Sequence, residues 1–249
     1  MKRVFYGRIV FGASAVLLGV ISLMWYDLNT WQTLHQIWSL PFGTIIGGCL
    51  MAAQIAGGIG AQHPRTAHLA SIVLAVVYLL FSLACIPAVI AAPSDSYPSF
   101  FEHFCALCGA IALFAATGTG SVRAAALSRA ARVGLGVCAI SFTLTQIRYL
   151  RETAALVPKW IPPGQAFWAI LTTVAFALAA IAILIHRRAR LAIRLMTLML
   201  ALFGVLVWIP RLIAHPHPHL NWSEFGLTSL ITGASWMVAE VCEPHRLGL

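Results

Sequence analysis

Residues 164–213 read GQAFWAILTTVAFALAAIAILIHRRARLAIRLMTLMLALFGVLVWIPRLI, two long apolar runs on either side of a short basic turn. Each run reaches the length of roughly 20 apolar residues that crosses the hydrocarbon core of a bilayer as a helix. Only helices and closed barrels cross membranes, because every backbone polar group there needs a partner within the protein. The stretch therefore predicts two transmembrane helices joined by a basic turn.

The same alternation of apolar runs and short polar breaks continues along the whole chain. Hydrophobic residues make up 60% of it and charged residues 9%, whereas an ordinary soluble domain carries roughly 25% charged residues. This composition excludes a typical soluble domain and predicts an all-α integral membrane protein with eight transmembrane helices. The predicted helices lie near 8–26, 42–62, 69–92, 100–120, 132–150, 164–186, 190–213 and 222–241.

Most of the 16 Lys and Arg residues fall in alternate breaks between the apolar runs. The positive-inside rule assigns such breaks to the cytoplasm. We therefore expect a multi-pass protein of a bacterial cytoplasmic membrane, with both termini cytoplasmic. The net charge of +9 is spread over several breaks and not over one face, so the lipid bilayer, and not nucleic acid, is the expected partner.

The second half of the chain repeats features of the first at a nearly constant offset. An even number of helices in each half makes the two halves point the same way, as in transporters with parallel repeats. We predict two tandem parallel four-helix bundles, covering residues 1–121 and 122–249. The matched residues are Arg8 with Arg132, Gly12 with Gly136, Trp38 with Trp160, Pro41 with Pro163, Arg65 with Arg187, Pro87 with Pro210 and Glu102 with Glu224.

Two matched segments have the form of a helix capping box, in which a polar residue and an acid three positions later satisfy free backbone amides. These are Ser99-Phe100-Phe101-Glu102 and Asn221-Trp222-Ser223-Glu224. They predict that the fourth and eighth helices begin at these segments.

The segment Glu102-His103-Phe104-Cys105-Ala106-Leu107-Cys108 is a candidate redox site at the predicted outer end of the fourth helix. A CxxC pair beside an acid and a histidine has the composition of a dithiol that exchanges electrons with a membrane quinone. The alternative is packing, because cysteine is a common small buried residue.

Alternating histidines occur in the last outer loop, His215-Pro216-His217-Pro218-His219. In an extended segment these three side chains point roughly to one side, where they are candidate ligands for a Zn or Cu ion. The alternative is a rigid loop with solvated histidines, since proline holds the backbone extended.

Basic and aromatic residues on the predicted outer side are further candidates for ligand binding. Arg148 and Arg211 oppose the orientation rule and are a candidate anion site, because arginine binds carboxylates and oxyanions bidentately. Glu224 is a further candidate ligand-binding residue on the same side. Pairing with acids or snorkelling is the alternative. Trp38 and Trp160 are candidate stacking platforms for a quinone ring, or members of an interfacial aromatic belt.

The second half resembles the DoxX-like family of four-helix membrane proteins. The resemblance rests on the loop Leu156-Val157-Pro158-Lys159-Trp160-Ile161-Pro162, the small-residue-rich run from Ala169 to Ile185, the basic turn from His186 to Arg190 and the apolar run from Leu191 to Val207. The first half follows the same layout more loosely, with Trp38 to Pro41 and His63-Pro64-Arg65.

Members of that family include subunits of thiosulfate:quinone oxidoreductase, proteins associated with redox or thiol systems, and assembly factors. The resemblance therefore implies a redox-associated subunit acting at the outer membrane face, with quinone as a candidate cofactor and a membrane or redox protein as a candidate partner. A non-enzymatic accessory or assembly protein is the alternative. A small-solute transporter, suggested by the tandem repeat, is a third possibility.

Overall fold

The computed structural model describes residues 5–25, 36–118 and 121–242, and helices dominate this part of the chain. Within these ranges no β-strand is formed. The helices are α1 Phe5–Trp25, α2 Gly43–Gln62, α3 Ala67–Ala91, α4 Pro93–Thr117, α5 Ser121–Arg148, α6 Leu150–Leu156, α7 Gln165–Leu184, α8 Ala189–Phe203, a π-helical turn Gly204–Trp208, α9 Ile209–Ala214 and α10 His219–Val241.

Among the described residues, 7 helices are long and apolar enough to cross a membrane. They are α1, α2, α3, α4, α5, α7 and the continuous segment Ala189–Ala214. An all-α, multi-pass membrane protein is therefore confirmed. The eighth predicted helix forms as α10, but it is not among the 7. Glu224, Glu240 and several Ser, Thr and Gly residues make it more polar, so a count of eight crossings stays a prediction.

Helix α10 is polar because other helices surround it. It packs against α1, α4 and α8, and Leu230, Ala234 and Met237 along it are fully buried. A helix enclosed by protein needs less apolar surface than one facing lipid on one side. The backbone of α1 approaches it closely, since a Cβ atom on Gly233 would stand 2.7 Å from the Phe11 Cα atom.

The first helix of each half packs against the last helix of the other half. Helix α1 contacts α10, and α5 contacts α4. Helices α4 and α10, the last of each half, run side by side in the same direction and meet at Gly109 and Ala234. The packing is therefore continuous across the predicted boundary at residues 121 and 122, and the division into two bundles stays a prediction.

Two of the matched pairs in the repeat have the same structural role. Arg8 and Arg132 are each 7% exposed. One helical turn later, Gly12 lies against Gly58 and Ala61 of α2, and Gly136 against Ile183 and Leu184 of α7. In each half the first helix therefore uses a buried arginine followed by a glycine to approach the end of the second helix.

These contacts define two ends of the helix bundle. The start of α1 and the ends of α2, α7 and α10 lie at one end, which carries the turns at residues 63–66 and 185–188. We refer to this as the basic end. The start of α4, the end of α5 and the start of α10 lie at the other end. Asp95, Glu102 and Glu224 therefore all belong to this second, acidic end.

The predicted starts of the fourth and eighth helices are wrong. Helix α4 begins at Pro93, six residues before Ser99. Proline suits the first helical position because its missing N–H would have no partner there, and Asp95 in the first turn favours the positive end of the helix dipole. Helix α10 begins at His219, before Asn221, and has no side-chain cap. Both Glu102 and Glu224 therefore lie inside helices and do not cap them.

Candidate functional site

Two carboxyl groups from matching positions of the repeat approach each other between α4 and α10. Glu102 lies two turns before Gly109 on the same face of α4, and Gly109 contacts α10. Glu224 lies in the second turn of α10. The two side chains are close enough for their like charges to interact, and both are half-buried. Ionisable groups inside a helical membrane protein are rare and commonly mark a working site.

Three thiols converge next to this acid pair. Cys105 and Cys108 on α4 are 0% and 1% exposed, and Cys138 on α5 is 0% exposed. The Cys138 thiol faces both α4 thiols across the contact between α4 and α5. All three cysteines are free.

Helix α5 makes room for these thiols with a glycine. A Cβ atom on Gly134 would stand 2.5 Å from Cys108 Sγ. Gly134 lies one turn before Cys138 and therefore on the same face of α5. The Cys108 side chain therefore occupies the space that a side chain at Gly134 would need. Cys138 lies one turn further along the same face of α5.

The acids and the thiols form one continuous group, which we call the acid–thiol cluster: Glu102, Cys105, Cys108, Cys138 and Glu224. Cys105 lies one helical turn after Glu102, between the face of α4 directed at α10 and the face directed at α5. Ser141, one turn beyond Cys138, is 3% exposed, and its hydroxyl has no hydrogen-bond partner in the described part of the chain. A polar group is therefore enclosed beside the thiols.

Cys138 was not identified as a candidate from the sequence. It is 30 positions from Cys108 on a different helix, and no motif spacing connects the two. Only the antiparallel register of α4 and α5 brings them together. The only sequence signal was that Cys138 lies in the apolar run that follows Cys105 and Cys108, at a similar depth in the predicted membrane.

His103, next to Glu102 in the sequence, faces in another direction. Its ring lies 5.4 Å from that of Phe81 on α3, and the residue is 5% exposed. The candidate redox segment is therefore divided between two faces of α4. Glu102 and Cys105 belong to the acid–thiol cluster, whereas His103 packs in the core between α3 and α4.

The three predicted metal ligands do not share one environment. His215 and His217 are exposed. His219 is 7% exposed and stacks on Trp25, with ring centroids 5.3 Å apart. Among the described residues, no group of three His, Cys, Asp or Glu side chains is close enough to hold a metal ion. A Zn or Cu site in this loop stays a prediction from the sequence.

The two predicted anion-binding arginines have partners within the protein. The guanidinium of Arg148 donates to Asp95 Oδ1 at 2.6 Å, and both side chains are largely exposed. The guanidinium carbon of Arg211 lies 5.6 Å from the centre of the Trp208 ring. The structure thus gives Arg148 an ion pair and Arg211 a cation–π contact.

The predicted stacking platforms lie apart from the acid–thiol cluster. Trp38 is half-buried, and its indole fills the space that a side chain at Gly47 of α2 would need. Trp160 is 72% exposed in the segment between α6 and α7. Trp38 therefore serves helix packing, and Trp160 lies on the surface.

No family model, no curated protein and no solved structure matches this chain. The likeness to the DoxX-like family stays a prediction from short motifs. An interpretation of function therefore depends on the residues of the acid–thiol cluster and on their contacts.

Proposed function

We propose that this chain is a redox-associated membrane protein of the DoxX-like type, in which the acid–thiol cluster carries out dithiol–disulfide exchange with a membrane quinone. The observation that carries the proposal is the convergence of Cys138 on Cys105 and Cys108 across the contact between α4 and α5. An isolated CxxC in an apolar helix is ordinary packing. The third thiol, which comes from another helix, and the carboxyl group one turn from Cys105 are the features that favour a redox role over packing.

The exchange balances with quinone as the oxidant. Two thiols that join as a disulfide release two electrons and two protons, and a quinone that becomes a quinol takes up two of each. Thiol–disulfide chemistry proceeds through the thiolate, so a group that accepts the proton must be near. Glu102 lies one turn before Cys105 and is the proton acceptor that we assign, with Glu224 on α10 as its partner.

Because the three thiols are buried within the membrane-spanning helices, their oxidant must be a small molecule that dissolves in the membrane. Cys105, Cys108 and Cys138 are at most 1% exposed and lie within helices of transmembrane length. A folded protein cannot bring its own thiol to this depth. A quinone, which dissolves in the hydrocarbon core, reaches such a site through the contacts between helices. The reductant that restores the dithiol must likewise be small.

The orientation in the membrane belongs to the same proposal. We place the basic end in the cytoplasm and the acid–thiol cluster in the outer half of a bacterial cytoplasmic membrane, in accordance with the positive-inside rule. Helix α10 crosses the bilayer as the eighth helix, enclosed by its neighbours. Labelling of Arg187→Cys and Lys159→Cys with a membrane-impermeant maleimide in intact cells tests this. Modification at Lys159→Cys alone is expected, and modification at Arg187→Cys would contradict the orientation.

Thiol counting tests the redox proposal directly. The purified protein is incubated anaerobically with a short-chain quinone, and its remaining thiols are tagged with a maleimide and located by mass spectrometry. We expect two of the three cluster thiols to be lost and one quinol to form for each disulfide. Cys49, which is exposed and free, stays available for tagging and serves as the internal reference.

Matched serine variants identify the thiols that react. Cys105→Ser and Cys138→Ser should each reduce quinol formation at least tenfold. Cys85→Ser removes a buried cysteine outside the cluster and should leave the rate unchanged. Equal rates in all three variants would refute the proposal. A stable membrane partner that co-purifies with a protein whose thiols stay reduced would favour the accessory-protein alternative.

A further inference from the structure

A long apolar groove opens on the outside of the protein between α7 and α8. It has a volume of about 630 Å³ and begins at the basic end, beside Arg187 and Arg188. Its floor consists of Ala179 and Met196, which are 7% and 2% exposed. The side chains along its edges are mostly exposed and apolar, among them Leu178, Ile181, Leu191 and Leu195.

The corresponding helices of the first half are packed closely at the same level. A Cβ atom on Gly57 of α2 would stand 2.8 Å from Leu74 of α3, and one on Gly60 would stand 3.1 Å from Ala70. At an offset of 122, the second half has Ala179 and Ala182 at these positions, and both line the groove. The second half thus has methyl groups where the first half has glycines, and α7 and α8 contact each other less extensively than α2 and α3 do.

The mouth of the groove is positively charged. Arg187 and Arg188 are both exposed there, and the matching turn of the first half has Arg65 alone. Arg188 is also the N-cap residue of α8, and no side chain caps that helix end. The free amides at the start of a helix favour negative charge. Two guanidinium groups and a helix end therefore face the entrance of an apolar channel.

The length of the groove matches one leaflet of a bilayer. Its lining on α7 runs from Ala175 to Ile185, a rise of about 15 Å in a helix. Half of the hydrocarbon core is also about 15 Å thick. We propose that the groove is a binding site for an anionic phospholipid of the leaflet at the basic end. The lipid phosphate lies against Arg187 and Arg188, and one acyl chain lies along Ala179 and Ala182.

Native mass spectrometry of the whole protein in detergent tests this site. The probes are phosphatidylglycerol, phosphatidylcholine with the same acyl chains, and glycerol phosphate without chains. Tighter binding of phosphatidylglycerol than of the other two supports a lipid site. Equal binding of the two lipids would show an ordinary lipid-facing surface, and binding of glycerol phosphate alone would show an anion site. Either result would overturn the proposal.

Matched variants separate this groove from general attraction to the basic end. The double variant Arg187→Gln/Arg188→Gln should weaken phosphatidylglycerol binding about 30-fold, at about a factor of five to six for each arginine. Ala182→Phe should fill the groove and block both lipids. Arg65→Gln, the matched change in the first half, should have less than a twofold effect. An equal loss in Arg65→Gln, or full binding in the double variant, would contradict the assignment.

A conservative variant guards against loss of structure. Arg187→Lys/Arg188→Lys keeps both charges and should retain most of the preference for phosphatidylglycerol. If this variant loses the preference while its thermal unfolding midpoint stays at the wild-type value, charge is not what binds the headgroup, and the proposal fails.

Discussion

Gly109 on α4 and Ala234 on α10 meet where the two central helices run side by side. A Cβ atom on Gly109 would stand 2.6 Å from the Ala234 Cβ atom and 3.0 Å from the Phe11 ring. Gly109→Ala must therefore push α4 and α10 apart, at an expected cost of about 1–3 kcal/mol in stability, typical of overpacking. The measurement is the thermal unfolding midpoint in detergent.

Gly204→Ala is the matched control for this substitution. Nothing lies within 4 Å of the position that its Cβ atom would take, and Gly204 has a helical backbone. Its midpoint should stay close to that of the wild type. If the two variants lost the same stability, glycine flexibility and not the contact between α4 and α10 would be responsible.

The buried arginine of the second half should contribute more to stability than an exposed one on the same helix. Arg132 is 7% exposed, and its guanidinium donates to the carbonyl oxygen of Ile183 on α7. Arg132→Met removes this bond and should cost about 1.5–3 kcal/mol, the usual range for a hydrogen bond to a charged group. Chemical unfolding of the purified protein measures the difference.

Arg129→Met provides the comparison, because Arg129 is an exposed residue of the same helix. Its effect should lie within about 0.5 kcal/mol, as for most surface substitutions. Arg8→Met should resemble Arg132→Met, since the two arginines match in the repeat and are equally buried. If Arg8→Met and Arg132→Met changed stability no more than Arg129→Met does, the buried arginines would not stabilise the fold.

The apolar runs predicted the helices well because the signal is local. The second predicted helix, 42–62, forms as Gly43–Gln62, and the sixth, 164–186, forms as Gln165–Leu184. The start of α4 was missed because Pro93-Ser94-Asp95 has the composition of a loop as well as that of a first helical turn. Local patterns cannot separate a loop from a first helical turn when only one residue, Ala92, lies between two helices.

The candidate site was harder to predict because it depends on how the helices pack. Glu102 and Glu224 were matched by the repeat, but their approach depends on α4 and α10 lying side by side. Cys138 joins Cys105 and Cys108 only through the register of α5 against α4. The spacing of His215, His217 and His219 also predicted a shared face, whereas the start of α10 carries His219 into the core.

The ion pair between Asp95 and Arg148 should contribute little to stability. The two groups are 2.6 Å apart, but their side chains are 60% and 45% exposed. Exposed pairs of this kind contribute little to stability and are screened by salt. Asp95→Asn should therefore lower the unfolding midpoint slightly at low ionic strength and have no effect at high ionic strength.

Variants of the two partners distinguish an ion-pairing role of Arg148 from an anion-binding role. If Arg148 serves only this contact, Arg148→Gln should behave as Asp95→Asn does, both in stability and in quinol formation. Loss of quinol formation in Arg148→Gln alone would instead support the anion-binding role that its position outside the basic end suggested.

The approach of Glu102 to Glu224 should appear as energetic coupling in a double-mutant cycle. In alkaline buffer, where both carboxyl groups carry charge, either Glu102→Gln or Glu224→Gln removes the whole repulsion between them. The gain in stability for the double variant should therefore be smaller than the sum of the two single gains, by about 0.5–3 kcal/mol, the range for residues in direct interaction.

Glu152→Gln supplies the reference for this cycle. Glu152 is an exposed residue of α6, and its substitution should combine additively with Glu102→Gln. High salt screens exposed charges more strongly than a half-buried pair between helices, so most of the coupling of Glu102 with Glu224 should persist there. Loss of this coupling at high salt would show that the two carboxyl groups lie in water. Neither group could then exchange protons with Cys105 in a site closed to solvent, and the role assigned to Glu102 would be wrong.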